Sequence, residues 1–225
     1  MREDFPGPYA AWTPRPERTW TYSQRSWKVF SHLLALATLV ACSTAPAPPE
    51  RFYRVEAPAA SSTTSLQGRI LIEPFEAYGV YNERPILYLD AAASGTLQQY
   101  HYQFWAEPPG VMLRDAMIAY LRTAFSGAQV ESAGGRARGD YVVHTRLKRL
   151  EHRLGSPAQA QFAVEFRIVD ATDNERAIVL FDEVAPAAGA SVEDFVLAMD
   201  QLLGKACAQL AERLRAITSA SRPLP

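Results

Sequence analysis

Cysteine is scarce in this chain, and that scarcity limits how the fold can be held together. The 225 residues include 2 cysteines, Cys42 and Cys207. If Cys42 is modified, Cys207 has no partner within the chain, so the fold has to form without an intramolecular disulfide. Cys207 falls on the apolar side of a predicted helix, where we expect a buried and unreactive thiol.

An excess of charge of either sign is also missing. Lysine and arginine total 23, aspartate and glutamate total 24, and the formal net charge is -1. Such a balance offers no broad electrostatic attraction to nucleic acid or to anionic headgroups, so we exclude nucleic acid as a partner. Hydrophobic residues make up 48% of the chain, which is enough to form a folded core.

The motifs of catalysis and metal binding are absent from the sequence as well. It contains no Gly-x-Ser-x-Gly elbow, no His-Glu-x-x-His and no Walker loop. His144 and His152 lie on or near one predicted strand, at a spacing that separates them by roughly 20 Å or more. The adjacent carboxylates Asp182 and Glu183 point to opposite faces of a strand. We therefore predict a protein that is not an enzyme, without catalytic residues, a metal or a cofactor.

A short apolar run with a basic flank predicts an export signal near the N-terminus. Arg25 and Lys28 precede the run, which extends over residues 29–41. About thirteen residues are too few to span a bilayer but suit the core of a signal peptide. The run ends Leu39-Val40-Ala41-Cys42, which resembles the lipobox of bacterial lipoproteins.

The lipobox resemblance implies cleavage before Cys42 and a covalent lipid on its thiol. A buried helix with a chance cysteine would not explain the abrupt change to Ser-Thr-Ala-Pro-Ala-Pro-Pro over residues 43–49. Two or three acyl chains, at about 0.8 kcal/mol per buried methylene, hold a protein stably on a membrane. The residue after the cysteine is Ser43 rather than an aspartate. By resemblance to enterobacterial sorting rules, this favours the outer membrane of a Gram-negative bacterium, with the protein facing the periplasm.

These observations divide the chain into four predicted parts. They are a lipoprotein-type signal peptide over residues 1–41, whose start the sequence leaves open; the lipidated Cys42 with a Pro- and Ser-rich tether over residues 42–67; a compact domain over residues 68–218; and a disordered tail over residues 219–225.

The mature chain alternates between strand and helix patterns. Predicted strands cover residues 69–75, 86–91, 97–105, 140–147, 162–169 and 178–184, with a short additional strand at 52–55. Predicted helices run from Pro108-Pro109 to Phe125, with Gly127 as a stop, and onward from an N-cap at Ser191. The pattern predicts an α+β fold, a two-layer arrangement in which a mostly antiparallel sheet has two main helices packed on one face.

Two segments are too particular for a generic core. Residues 78–88 read Tyr-Gly-Val-Tyr-Asn-Glu-Arg-Pro-Ile-Leu-Tyr, and residues 99–108 read Gln-Tyr-His-Tyr-Gln-Phe-Trp-Ala-Glu-Pro. Both resemble the ABC-type transport auxiliary lipoprotein family, often called PqiC-like, whose members carry a strand, Arg-Pro, a strand, Trp-Ala-Glu-Pro-Leu and a helix in succession. The resemblance covers nearly the whole mature chain. This chain departs from the family pattern at two positions. Pro109 follows Trp-Ala-Glu-Pro where family members usually have leucine, and Phe104 precedes the tryptophan where they often have a basic residue.

The resemblance implies a non-catalytic accessory role in lipid transport. In such systems an inner-membrane ABC transporter works with MCE-domain proteins that bridge the periplasm, and the lipoprotein docks the bridge at the outer membrane. The implied partners are an MCE protein and the membrane; because MCE assemblies are ring-shaped, a matching homo-oligomer is compatible with the resemblance. Two alternatives stay open: an envelope lipoprotein that regulates a cell-wall synthase, and a lipoprotein that carries lipid in its own cavity.

The motif residues supply the candidates for a partner interface. These candidates are Arg84, Pro85, His101, Trp105, Glu107 and Pro108. Strand alternation predicts Tyr100, Tyr102 and Phe104 on one side and His101, Gln103 and Trp105 on the other. Trp105 could contact a partner or fill the junction between helix and sheet, and Arg84 could bind a partner or pair with Glu107.

Overall fold

The computed structural model describes residues 46–90, 95–134 and 138–220. The lipidation site Cys42 and the lipobox residues Leu39, Val40 and Ala41 lie outside these ranges, so lipidation stays a prediction. Across the described ranges, no helix combines the length and apolar character needed to cross a membrane.

Strands dominate the described residues, and two long helices follow them in the chain. The strands are β1 (Arg51–Tyr53), β2 (Thr64–Ile72), β3 (Pro85–Asp90), β4 (Leu97–Trp105), β5 (Phe125–Ser132), β6 (Tyr141–Leu154), β7 (Gln159–Asp170) and β8 (Glu175–Pro186). The helices are α1 (Pro109–Ala124) and α2 (Val192–Ala220), and a short 3-10 turn covers Gly79–Asn82. The predicted α+β class is therefore confirmed.

The eight strands form one mixed sheet that divides at β6. Along one edge, β6 pairs antiparallel with β7, and β7 pairs antiparallel with β8; we call β6–β8 the meander. Along its other edge, β6 pairs in parallel with β2 near its start and with β3 near its end. The first branch continues to β5. The second branch, β3–β4–β1, contains most of the two segments at residues 78–88 and 99–108, and we call it the motif arm.

The meander follows the alternation predicted from the sequence. In β6, Val143, Thr145 and Leu147 are buried, while Arg146 and Lys148 between and after them are exposed. β7 buries its own alternating set, Phe162, Val164, Phe166 and Ile168. Because one face of the sheet carries buried apolar side chains, both helices pack on that face, and helix–sheet packing forms a continuous core.

Helix α2 covers the meander with its apolar stripe. The buried positions include Phe195, Met199, Leu202, Cys207 and Leu210. Ser191 caps its start, since the Asp194 backbone N–H donates to the Ser191 hydroxyl at 3.1 Å. Cys207 is fully buried, and burial raises the pKa of its thiol, which fits the expected unreactive cysteine.

Two predicted boundaries need correction, and one strand was not predicted. The fold begins at β1 rather than at Gly68, because Val55 and Leu66 are buried within residues assigned to the tether. Helix α2 extends through Ala220, so the first two residues of the predicted tail are helical. Helix α1 gives way directly to β5, a strand that the sequence analysis missed. In β5 only Phe125 and Val130 are buried, so alternation there is too weak to recognise.

Candidate partner-binding surface at the motif corner

The two motif segments meet where β3 and β4 pair. Pro85 lies opposite Phe104 in the ladder. The Trp105 backbone N–H donates to the Arg84 carbonyl at 2.8 Å, and the Arg84 Nε–H donates back to the Trp105 carbonyl at 3.1 Å. We call the region formed by residues 84–85 and 105–108 the motif corner. These reciprocal bonds explain why an arginine and a tryptophan so far apart in sequence belong to one motif.

Trp105 is a core residue. Its side chain is 1% exposed and packs against Phe195 of α2, with ring centroids 6.0 Å apart. The neighbouring Ala106 N–H donates to the Tyr53 carbonyl at 2.7 Å, which fastens β1 to the same corner. Of the two roles left open for Trp105, the structure therefore supports packing between helix and sheet, because a side chain so buried presents almost no surface to a partner.

The two prolines that follow begin helix α1. Pro108 is its N-cap, and its carbonyl accepts from the Val111 and Met112 N–H groups at 3.0 and 3.1 Å. Pro109 occupies the first helical turn, where its missing N–H costs nothing. A Cβ on Gly110 would lie 2.5 Å from the Phe75 carbonyl oxygen, so this turn requires glycine. The Pro109 departure from the family pattern is therefore compatible with the helix start.

Arg84 and Glu107 do not pair with each other. The Glu107 carboxylate lies 3.4 Å from the Arg54 guanidinium, and both side chains are well exposed. Exposed pairs of this kind contribute about 0–1 kcal/mol. The Arg84 guanidinium instead lies 5.3 Å from the centroid of the Phe52 ring. A cation over an aromatic face is attracted by the negative potential of the ring.

An exposed stack of aromatic and arginine side chains lies on the opposite face of the sheet from Trp105. Phe52 and Phe104 are register partners in β1 and β4, and their rings stack 5.8 Å apart. Phe52 is 54% exposed although it is large and apolar. We call Phe52, Arg84 and Phe104 the aromatic–arginine patch. Aromatic and arginine side chains are the types enriched at protein interfaces.

The remaining interface candidate, His101, is exposed on β4. Its ring contacts that of Tyr102, with centroids 6.5 Å apart at a steep angle, and Tyr102 is also exposed. The ladder between β3 and β4 shifts register between Pro85 and Leu87, so strict alternation fails along this part of β4. Tyr100 is partly buried and packs against the core, although alternation predicted it on the same side as Tyr102 and Phe104.

β1 is fastened to helix α2 on the side away from the patch. The Tyr53 hydroxyl lies 2.7 Å from Gln103 Oε1 and 2.8 Å from Glu193 Oε1, and Arg51 also donates to Glu193 at 2.9 Å. A hydrogen bond from its own backbone N–H, together with the one from Tyr53, holds the pKa of Glu193 below its usual range. These contacts fix the strand that presents Phe52.

His152 is a core residue that the sequence pattern does not predict. A register shift between Leu147 and Arg149 changes the phase of β6 and turns His152 into the core. Its ring stacks on Phe195 at 4.8 Å, and its Nδ1 lies 3.0 Å from the Tyr100 hydroxyl. Burial lowers the pKa of His152 to about 4, which keeps it neutral. A change of strand phase of this kind has no clear signal in one sequence.

The other histidine on β6 has a different environment. His144 lies on the outer face, where its Nδ1 is 2.6 Å from a Glu73 carboxylate oxygen. Within the described ranges, no group of three His, Cys, Asp or Glu side chains is arranged to hold a metal ion. The prediction that the protein works without a metal or cofactor stays a prediction.

A groove runs between the segment after β1 and helix α1. It has a volume of about 310 Å³, and its lining includes Val55, Ala57, Met112 and Ala116. This volume is at the lower end of the roughly 300–1,000 Å³ typical of sites that enclose drug-sized ligands. The groove therefore offers little space to enclose a lipid with two acyl chains.

Comparison with known proteins gives matches to one family and to solved structures. A family described as "ABC-type transport auxiliary lipoprotein component" matches residues 53–211. The crystal structure of the Xanthomonas campestris protein XCC0632, described as DUF330, is 17% identical, covers 76% of this chain and 97% of that chain, and has a TM-score of 0.61. Another crystal structure, titled only as an uncharacterized protein, is 12% identical, covers 74% and 99% of the two chains, and has a TM-score of 0.62. At these identities the structures show a shared fold. A search of curated proteins gave no match.

Proposed function

Because this chain belongs to the ABC-type transport auxiliary lipoprotein family, we propose that it docks an intermembrane lipid transporter at the outer membrane. Its general role follows from the family: it is an auxiliary, membrane-anchored component of an ABC-type transport system. In our proposal the protein is not an enzyme. It faces the periplasm, held by lipid on Cys42, and receives an MCE-domain protein that bridges from the inner-membrane transporter.

The aromatic–arginine patch is the observation that carries the docking proposal. Phe52 remains 54% exposed, whereas phenylalanines such as Phe162 and Phe195 are buried. Its ring stacks on Phe104 and lies beneath the Arg84 guanidinium. The stack restricts these side chains before a partner arrives, so binding loses less side-chain entropy. Aromatic and arginine residues held in this way are the usual centres of binding energy at protein interfaces.

The position of the patch in the chain supports contact close to a membrane. Phe52 lies ten residues after Cys42. At most about 3.3–3.6 Å per residue, that length of chain spans roughly 35 Å or less. Arg51 and Tyr53 fix β1 to helix α2 through Glu193. A lipid on Cys42 would therefore keep the patch within roughly this distance of the bilayer surface.

The docking proposal is tested by co-purification of the lipoprotein with its partner. We expect the lipoprotein, extracted from membranes in mild detergent, to carry an MCE-domain protein identified by mass spectrometry. Phe52→Ala should reduce the amount recovered about tenfold or more, the size expected for loss of an interface anchor. Leu197→Ala is the matched control, because Leu197 is 61% exposed on helix α2 and lies outside the patch.

Melting temperature separates lost binding from lost folding. Phe52→Ala and Leu197→Ala should both melt close to the unchanged protein, since both side chains are largely in solvent. Equal recovery of the MCE protein with Phe52→Ala would exclude the patch as the docking site. Recovery of a phospholipid without an MCE protein would support a lipid carrier instead, and recovery of a cell-wall synthase would support a regulator.

The anchor is tested separately from the patch. Cells supplied with labelled palmitate should label the unchanged protein, and Cys42→Ser should abolish both the label and membrane association. An unlabelled protein that still retains the apolar leader would exclude lipid anchoring and with it the proposed location.

A further inference from the structure

Strand β8 exposes large apolar side chains at the free edge of the meander. Ile178 is 50% exposed and Leu180 is 67% exposed, while Val179 between them points into the core. Within the described part of the chain, β8 pairs with β7 alone. A long edge strand with exposed apolar side chains is a template for pairing with another strand.

The other two edges of the sheet differ from β8. β1 is only three residues long. β5 is longer, but its exposed side chains are polar ones such as Ser126 and Gln129. Short or polar edges are common ways to discourage strand pairing. Of the three edges, β8 therefore has the features that favour pairing.

Opposite charges flank the apolar pair on β8. Arg176 comes two residues before Ile178, and Asp182 comes two residues after Leu180, and all four side chains are exposed. Ile178, Leu180 and Asp182 alternate along one face, and Arg176 lies at the irregularity where the β7–β8 ladder shifts register. Each charge has a partner on its own chain: Arg176 lies 3.4 Å from Asp170, and Asp182 lies 2.9 Å from Arg149. The exposed side chains of the strand are therefore, in order, basic, apolar, apolar and acidic.

We propose that β8 pairs antiparallel with β8 of a second copy of this chain, about a two-fold axis at Val179. In this register Ile178 lies opposite Leu180 of the second copy, and Arg176 lies opposite Asp182 of the second copy. Because the axis is two-fold, both contacts form twice. Within each chain, Arg176 is already paired with Asp170, and Asp182 with Arg149. In the dimer the charges therefore alternate in sign, from Asp170 and Arg176 of one copy to Asp182 and Arg149 of the other.

One neighbouring register is clearly less favourable. A shift by two residues would place Ile178 opposite Asp182 and Arg176 opposite Val184, which removes the charge match and buries a carboxylate against an apolar side chain. The proposed register does bring Glu175 opposite Glu183. The Glu183 carboxylate, however, lies 3.2 Å from the Lys205 ammonium, which reduces the repulsion.

Self-pairing explains features that a foreign strand would leave unexplained. The order basic, apolar, apolar, acidic is complementary to itself when reversed, so one surface supplies both halves of the interface. Exposed ion pairs add little affinity but select the register and partner. The dimer is independent of partner docking, because β8 and β1 terminate opposite ends of the run β1-β4-β3-β6-β7-β8.

The first test compares two exposed leucines. We expect the detergent-solubilised lipoprotein to sediment as a dimer, with a protein mass twice that of one chain. Leu180→Asp should raise the dissociation constant at least tenfold and give the mass of one chain. Leu197→Asp should stay dimeric, because Leu197 is similarly exposed but lies on helix α2. A single-chain mass for the unchanged protein over the whole accessible concentration range would overturn the proposal.

The second test is specific to the register. Arg176→Asp and Asp182→Arg should each be monomeric alone, because each places like charges opposite one another twice. Mixed together they should form a heterodimer, since Asp at 176 then faces Arg at 182 and the native pair is kept at the other site. Mixtures that stay monomeric would overturn this register.

Dimerisation that survives both Leu180→Asp and the single charge changes would place the interface elsewhere. Normal MCE recovery with Leu180→Asp would leave the proposed docking function intact.

Discussion

The meander and the motif arm belong to one sheet but are held together differently. In the meander, each strand pairs with the next strand along the chain. In the motif arm, β3 pairs in parallel with the much later β6, and β1 pairs in parallel with β4. Closing such long loops costs more chain entropy than closing a hairpin. The arm therefore depends on a few dense contacts at the motif corner.

This difference indicates why the arm carries the family motif. Trp105 is buried against helix α2, while Phe52 and Phe104 stack on the opposite face of the same strands. The two faces are connected by Arg84, which bonds the Trp105 carbonyl and lies over the Phe52 ring. One short motif thus supports both the fold of the arm and the surface proposed to bind a partner.

The largest expected effect separates these two roles. Trp105→Ala should lower the free energy of unfolding by about 3–5 kcal/mol, the usual range for removing a buried large aromatic side chain. Phe104→Ala should cost much less, because Phe104 is only partly buried on the outer face. Urea unfolding followed by circular dichroism measures both. A loss below about 1 kcal/mol for Trp105→Ala, together with lost partner binding, would contradict its assignment to the core.

The sequence predicted the meander more completely than the arm, for a physical reason. Alternation in β6 and β7 reports burial on one face, and Val143, Leu147, Phe162 and Phe166 are all buried as expected. The parallel pairings of the arm leave no such local signal, since they depend on residues far apart in the chain. The resemblance to a family identified the corner, but it could not show that Arg84 bonds Trp105 rather than Glu107.

The candidate surface was predicted only in part. His101 is exposed and Trp105 is buried, although alternation predicted both on the same side of β4. The exposed Phe52 was predicted only as part of a short strand. The register shift in β4 breaks the alternation used to sort its side chains. Stacking between Phe52 and Phe104 also requires β1 to pair beside β4, which neither segment signals alone.

His152 gives a pH-dependent test at the junction of the arm and the meander, where Tyr88 of β3 is its register partner. The pKa of His152 is about 4 in the folded chain against 6.5 for a free histidine. As the pH falls through this window, the unfolded chain takes up the proton first, so stability is lost between pH 6.5 and about 4. The full loss is roughly 3 kcal/mol, at about 1.4 kcal/mol per unit.

The measurement compares His152→Gln with the unchanged protein by urea unfolding at several pH values. A comparison is needed because burial raises the pKa of Asp200 to about 6, so that group stabilises the fold as the pH falls from 6 toward 3.8. His152→Gln should remove the contribution of this histidine to the change of unfolding free energy with pH. His144→Gln is the control and should keep it, because His144 is partly exposed beside Glu73. Identical slopes for all three proteins would show that His152 does not titrate as a buried group.

The smallest expected effect concerns the cap that connects the meander to helix α2. Ser191 accepts the Asp194 N–H at 3.1 Å, and its hydroxyl donates to the Asp194 carboxylate at 2.6 Å. Ser191→Ala leaves that N–H without its partner and should lower the free energy of unfolding by about 1 kcal/mol. Ser219→Ala is the control: its hydroxyl only bonds the Arg215 carbonyl within the exposed last turn of helix α2, so a change within about 0.5 kcal/mol is expected.

Because α2 covers the meander and also packs Phe195 against Trp105, loss of the cap should weaken both regions together in hydrogen exchange. Faster exchange confined to the meander would mean that the motif arm is held independently of this helix end.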